Sequence, residues 1–171
     1  MNYPFWKRSL DIIGGALGLA LITPLAPFIV LAIKLETKGK AIIALSRVSE
    51  GRIISVYKFR TMVHNAHLLK KDLLPFNERK DGPFFKMKND PRITNVGKVL
   101  RRFRLDEFPQ LINVLKGDLA LVGPRPHEPE EVKNYSKEYK PILMARGGVT
   151  GISQVNGASG LPYLKELELD S

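Results

Sequence analysis

The sequence predicts an α+β fold: an N-terminal helix-break-helix segment that re-enters the membrane, one small β-hairpin, and short amphipathic interfacial helices packed around a central site. Three observations carry this expectation. Ile12 to Ile33 is a 22-residue run without a charge, the length that a bilayer-crossing helix needs. Two β-branched and aromatic runs, Ala41 to Val48 and Ile53 to Phe59, flank Ser49-Glu50-Gly51-Arg52 and read as a hairpin. Beyond them short basic helical stretches alternate with loops marked by Pro and Gly. Residues 1–40 form the membrane segment and its flanks, and residues 41–171 a cytosolic-face region, the two acting as one functional domain.

The apolar run is not a straight helix. Pro24 and Pro27 each remove a backbone donor and collide with the carbonyl four residues back, those of Ala20 and Thr23. Orphaned carbonyls are costly in hydrocarbon, and the Thr23 hydroxyl can bond back to Leu19 or Ala20. The bend is therefore predicted at Thr23-Pro24. Lys7 and Arg8 precede the run, while Lys34, Lys38 and Lys40 follow it. Both ends thus carry the cationic mark of the cytoplasmic side. A segment that enters and leaves by one face satisfies that symmetry, and a straight span does not. A signal peptide is disfavoured, because Leu31-Ala32-Ile33-Lys34 offers no small-residue cleavage site. Asp11, at the membrane edge with Lys7 and Arg8, needs a partner, and Arg8 stands three residues earlier on the same helix face.

After the hairpin, residues 61–74 read as an amphipathic helix with a basic face, suited to a lipid surface or simply to solvent. Pro75 to Pro91 reads as loop and Thr94 to Arg104 as a basic helix. Pro109 to Lys116 is a helix with proline first and Gly117 just past its end. A loop at Gly123 to Pro129 leads to a helix over 130–144, and the tail from Gly147 is weakly structured by pattern.

A net charge of +10 and a pI near 9.9 call for an anionic partner: nucleic acid, acidic lipid or a phosphorylated substrate. The absence of cysteine excludes thiolate chemistry. Three scattered histidines, His64, His67 and His127, do not make a metal cluster. From Lys86 to Arg104 there are seven basic residues and one acidic residue, Asp90, and two adjacent carboxylates, Asp106 and Glu107, then close the run. Judged locally, they cap the next helix or carry chemistry. The arginine-rich setting tilts the balance, because an anion site keeps a carboxylate ionised as a nucleophile. Its neighbour can hold a divalent cation. Gly123-Pro124-Arg125-Pro126 fixes the backbone around one arginine, and Lys58-Phe59-Arg60-Thr61-Met62 places Arg60 at a strand end. The glycines of Gly147-Gly148-Val149-Thr150-Gly151 permit a close ligand approach or simple flexibility.

These stretches, with Asn89-Asp90-Pro91-Arg92-Ile93-Thr94, Leu105 to Leu111, and Val149-Thr150-Gly151 ahead of Gln154-Val155-Asn156-Gly157, resemble the bacterial sugar transferases, the monotopic polyprenyl-phosphate phosphoglycosyl transferases. The resemblance spans nearly the whole chain. It implies a two-step reaction at the cytoplasmic face of the inner membrane. Asp106 would attack the β-phosphate of a UDP-sugar and expel UMP, and polyprenyl phosphate would then accept the phosphosugar. It also implies that Glu107 completes a dyad with Mg2+, that Arg101, Arg125 and Arg60 meet phosphate, and that the apolar segment is a re-entrant helix. Thr23 stands where the family has serine, and Ala158 where it has an arginine whose charge Arg104 or Arg146 could replace. Without the N-terminal multi-span region of longer relatives, the chain reads as the minimal catalytic unit. The rival class is a non-catalytic basic membrane adaptor that binds anionic lipid or nucleic acid. Nucleic acid is disfavoured because aromatics, 8% of residues, are not interleaved with the basic run. Neither the sugar nor the oligomeric state is legible.

Overall fold

Proline at position 24 decides the shape of the N-terminus. Helix α1 (Phe5–Ile22) and helix α2 (Ala26–Glu36) meet at 61°. Pro24 has no N–H for the Ala20 carbonyl, so the Leu25 N–H turns to the Ile22 carbonyl at 2.9 Å, and the Thr23 hydroxyl donates to the Leu19 carbonyl at 2.6 Å. Among the described residues no single helix is long and apolar enough to cross a membrane, whereas the bent pair together has the length and composition. The computed structural model describes residues 3–83, 85–157 and 160–171. Ala158 lies outside the described residues.

The hairpin follows as expected. Strands β1 (Ile42–Ser49) and β2 (Arg52–Phe59) pair antiparallel from Ile42–Phe59 to Ser49–Arg52. Glu50 and Gly51 turn the chain with φ of 50° and 72°, the left-handed pair that a two-residue turn needs. Next come α3 (Lys70–Leu73), α4 (Asn95–Arg102), α5 (Gln110–Lys116), β3 (Ala120–Val122), α6 (Pro129–Val132), β4 (Gly148–Thr150), α7 (Ile152–Val155) and α8 (Tyr163–Asp170). Strands β3 and β4 pair parallel, so the fold is α+β with two small sheets and eight α-helices among the described residues.

Three predicted stretches differ. The helix expected over residues 61–74 shrinks to α3, because its first residues pair elsewhere. The Thr61 carbonyl accepts from the Thr94 N–H at 3.1 Å and the Val63 N–H donates to the Arg92 carbonyl at 2.8 Å. The helix expected over 130–144 splits into α6 and a 3-10 turn, Lys140–Met144, since Pro141 cannot continue an α-helix. The tail holds β4, α7 and α8 instead of loose chain. Strand β4 forms only by pairing with a strand almost thirty residues earlier, and no local periodicity announces that.

Ile54 and Val56 of β2 pack on Leu111 and Val114 of α5 and on Leu119, with Leu19 of α1 against them. A second group, Ile33, Phe59 and Leu100, joins α2, β2 and α4. Polar side chains fasten these short elements. Arg8 donates to the Val114 and Leu115 carbonyls at 2.6 and 2.7 Å, at the C-terminal end of α5 where a cation complements the helix dipole. Asp11 accepts from the Leu121 N–H at 2.9 Å and from the Tyr3 hydroxyl. The expected Arg8–Asp11 pair gives way to these long-range bonds, which dock α1 on α5 and β3. At the far end, the Glu36 carboxylate accepts from the N–H groups of Asn95 and Val96 at 2.6 and 2.9 Å and holds the first turn of α4.

Asn113 is fully buried. Its side-chain oxygen accepts from the Tyr57 N–H at 3.0 Å and its amide donates to the Ser55 carbonyl at 2.7 Å, serving the free edge of β2. Asn113→Ala orphans both backbone groups, each costing about 1–3 kcal/mol. The expected outcome is a thermal midpoint several degrees lower in detergent, and an unchanged midpoint would show that water replaces the amide.

Candidate active site

The site is assembled where four elements end. Lys58 sits one residue before the end of β2, and Arg101 in the last turn of α4. A Cβ at Gly97 would collide with the Thr61 carbonyl, so only glycine lets α4 dock this closely beneath the strand end. That approach lets Arg101 Nε donate to Thr61 Oγ1 at 2.9 Å. Arg104 adopts the left-handed conformation, φ 55°, and turns the chain into a 3-10 turn, Leu105–Glu107. The N-cap of α5 is Pro109 and no side chain caps it. Neither Asp106 nor Glu107 therefore caps α5 through a side-chain hydrogen bond, and both lie in the turn just before it.

Asp106, 8% exposed, faces a cavity of about 1150 Å³. Its described lining holds eleven Lys and Arg side chains against five Asp and Glu. Lys58 Nζ lies 2.6 Å from Glu107 Oε1. Burial pushes the Asp106 carboxyl above its usual range, and the adjacent Glu107 adds to this, outweighing Lys58 and Arg101. Burial acts upward on Glu107 too, but the Lys58 ammonium with Arg125 and Arg104 outweighs it and holds that carboxyl low. The basic setting thus holds Glu107, and not Asp106, below the usual carboxylate range. Asp106 is the more basic of the pair.

Arg125 reaches the same cavity from the loop after β3. The Gly123 N–H donates to the Thr150 carbonyl at 2.9 Å and the Gly148 N–H to the Pro124 carbonyl at 2.8 Å, so β4 anchors this loop. The Arg125 N–H donates to Asp170 Oδ2 at 2.9 Å. Arg60, although it lines the cavity, is buried and committed. It donates to the Lys40 and Thr37 carbonyls at 2.8 and 3.0 Å, and also to Thr37 Oγ1 and the Met62 carbonyl, tying the end of α2 to β2. Of the two arginines weighed against Ala158, Arg146 is engaged with Glu50 at the hairpin tip at 3.0 Å, whereas Arg104 acts on Glu107. His64 and His67 line the cavity, and no group of three or more possible metal ligands forms among the described residues.

Sequence reasoning missed two features. Lys58 falls on the β2 face shared by Ile54 and Val56, which packs on α5, so period-2 alternation aims it at the start of that helix. Glu166 is 2% exposed, with Arg79 Nη2 at 3.0 Å, His127 Nε2 at 3.4 Å and Arg125 Nε at 3.7 Å. No local signal marks it, because its partners come from distant loops.

Residues 2–171 match the family described as bacterial sugar transferase. The chain is 42% identical over 162 residues to a galactosyl transferase, CpsE, of Streptococcus agalactiae, covering 94% of this chain and 36% of that protein. It is 40% identical over 171 residues to the undecaprenyl-phosphate galactose phosphotransferase of Salmonella typhimurium (98% and 36%). It is 41% identical over 160 residues to the UDP-glucose:undecaprenyl-phosphate glucose-1-phosphate transferase of Caulobacter vibrioides (90% and 55%). The chain spans about a third to a half of the length of these relatives. With a cationic cavity at Asp106 and a family match along nearly its whole length, the chain belongs to the bacterial sugar transferase family.

Proposed function

We propose that this chain transfers a sugar 1-phosphate from a UDP-sugar to polyprenyl (undecaprenyl) phosphate and releases UMP, a membrane step that begins assembly of a bacterial glycan. One observation carries the reading: Asp106, a buried carboxylate pushed up in pKa, stands beside a neighbour held as an anion, in a cavity lined with cations. The names of the relatives support the substrate pair and differ over the sugar.

In the first step an Asp106 oxygen bonds to the β-phosphorus of the UDP-sugar. The bond from that phosphorus to the bridging oxygen breaks, and UMP leaves with the oxygen. In the second step an oxygen of polyprenyl phosphate attacks the same phosphorus and frees the Asp106 carboxylate. Phosphoryl transfer asks mainly for positioning and charge neutralisation. Arg101 and Arg125, at the cavity wall, supply cations to the phosphate oxygens, and Arg60 acts by holding the strand end that carries Lys58. A carboxylate of raised pKa is a stronger nucleophile once ionised. Mg2+ takes oxygen ligands and is held by one or two carboxylates together with substrate phosphates, and Asp106 and Glu107 are adjacent carboxylates in one turn. Glu107 would hold the ion, and when bound it neutralises phosphate charge.

The membrane reading rests on α1 and α2. Each buries one stripe against the body and turns outward a second stripe that is also apolar: Phe5 is 86% exposed, Leu21 77%, Phe28 71% and Leu35 78%. Surfaces of that kind are covered by lipid or protein. Arg8 and Glu36 fasten the two outer ends of the pair to the same body, which supports a re-entrant, monotopic segment with both ends cytoplasmic. A membrane adaptor without catalysis would need no buried carboxylate in its most basic region.

Three outcomes are expected. Asp106→Asn loses UMP release by about a thousandfold or more. Because the folded state raises the Asp106 pKa, it binds protons more tightly than the unfolded chain, so the charged group lowers stability at neutral pH. The variant should therefore melt no earlier than wild type, and full activity in it would remove Asp106 as nucleophile. Lys58→Met removes an influence that lowers the Asp106 pKa, so the acid limb of the rate profile moves to higher pH. The Lys58–Glu107 pair adds stability above the unfolded pKa of Glu107 and loses it as pH falls through the lowered folded value, so the melting difference between wild type and Lys58→Met narrows in acid. Finally, single cysteines at Tyr3 and Lys40 should react with an impermeant reagent from one side of sealed vesicles. Labelling from opposite sides would mean a spanning segment.

A further inference from the structure

Glu166 is a carboxylate that the proposed reaction does not use, yet it is the hub of a charge arrangement in the cavity wall. A carboxylate this buried persists only with compensating partners, and it has three: Arg79, His127 and Arg125. Two of these are fixed by other contacts. Arg79 also donates to the Leu161 carbonyl at 2.7 Å and to Asp81 Oδ1 at 3.3 Å, and the His127 ring meets the Tyr135 hydroxyl on its far side. Arg125 differs, since 33% of its side chain is exposed to the cavity. Four residues along α8, and so on the same face, Asp170 accepts from the Arg125 N–H at 2.9 Å. One helix therefore presents two carboxylates to one arginine, one toward its guanidinium and one to its backbone.

We propose that Glu166 is a positioning residue, with Asp170 its companion: α8 clamps Arg125 so that its guanidinium meets the diphosphate of a nucleotide ligand already oriented. This rests on the phosphoryl-transfer reading above. The two prolines beside Arg125 fix the backbone but not the side chain, and an arginine that binds phosphate from a free state loses rotamer entropy on binding. Holding the guanidinium beforehand removes that loss, and the charge of Glu166 offsets repulsion between Arg79 and Arg125.

A role exercised through Arg125 predicts non-additivity. The affinity of UDP, a diphosphate that does not react, is measured by calorimetry for the full chain in detergent, with Glu166→Gln, Arg125→Ala and the double variant. The expected result is about tenfold weaker binding for Glu166→Gln, a larger loss for Arg125→Ala, and a double variant no worse than Arg125→Ala alone. Glu166→Asp, which keeps the charge, should recover most of the affinity. Losses that multiply in the double variant, or a Glu166→Gln protein that binds UDP like wild type, would overturn the clamp. If Glu166→Gln does not fold, Asp170→Asn, alone and combined with Arg125→Ala, is read by the same criterion. A wild type that binds UDP but releases no UMP from any UDP-sugar would end the functional reading and leave the clamp standing, whereas no affinity for UDP would end both.

Discussion

The contact between Lys58 and Glu107, 2.6 Å long and largely shielded from water, is the interaction on which the site depends. Two adjacent carboxylates in one partly buried turn repel one another, and the interior dielectric makes that repulsion stronger than it would be in water. A single ammonium resolves the conflict by siding with one of them. Glu107 becomes the settled anion, and Asp106, deeper and with less direct compensation, becomes the more basic. A carboxylate fully neutralised by an arginine fork would be a poor nucleophile, and an unaided buried one would stay protonated. Asp106 sits between these limits, with Arg101 and Lys58 within electrostatic reach.

The architecture serves that arrangement with unusually short elements. Helix α5 has seven residues and α4 eight, too short to be stable on propensity alone. Polar staples supply much of what helix length does not. Asn113 finishes the edge of β2, Arg8 closes the end of α5, Glu36 opens α4, and Arg60 ties the end of α2 to β2. The Asp90–Arg92 pair, buried and bidentate, stiffens the loop beside Met62, whose bridge to Ile93 brings two of the sequence motifs together. Several of these staples also anchor the bent apolar pair, so that pair and the cavity share one framework.

Much of this was legible from sequence because it was locally encoded. Pro24 and Thr23 mark the bend, the Glu50-Gly51 turn marks the hairpin, and the basic run ending in Asp106-Glu107 marks the site. What was not legible depends on distance along the chain. Arg8 and Asp11 have the spacing of a helical ion pair, yet each finds a partner about 110 residues away, because unserved backbone groups at the end of α5 and on β3 compete for them. Arg60 has the composition of a phosphate ligand but is committed to backbone carbonyls. The Glu166 cluster draws on α8 and two separated loops, and no spacing rule reaches it. Glycine-rich sequence in the tail reads as loose chain until the pairing of β3 with β4 is known.

The central claim is that one ammonium sorts two neighbouring carboxylates. Carboxyl carbon-13 NMR of protein labelled at Asp and Glu, with Asp106→Asn and Glu107→Gln used for assignment, follows each group through a pH titration. The account predicts that Asp106 titrates above the ordinary aspartate value of 3.8 and Glu107 below the ordinary glutamate value of 4.5, with Glu107 rising in Lys58→Met. Asp106 titrating below Glu107, or a Glu107 indifferent to the loss of Lys58, would contradict it.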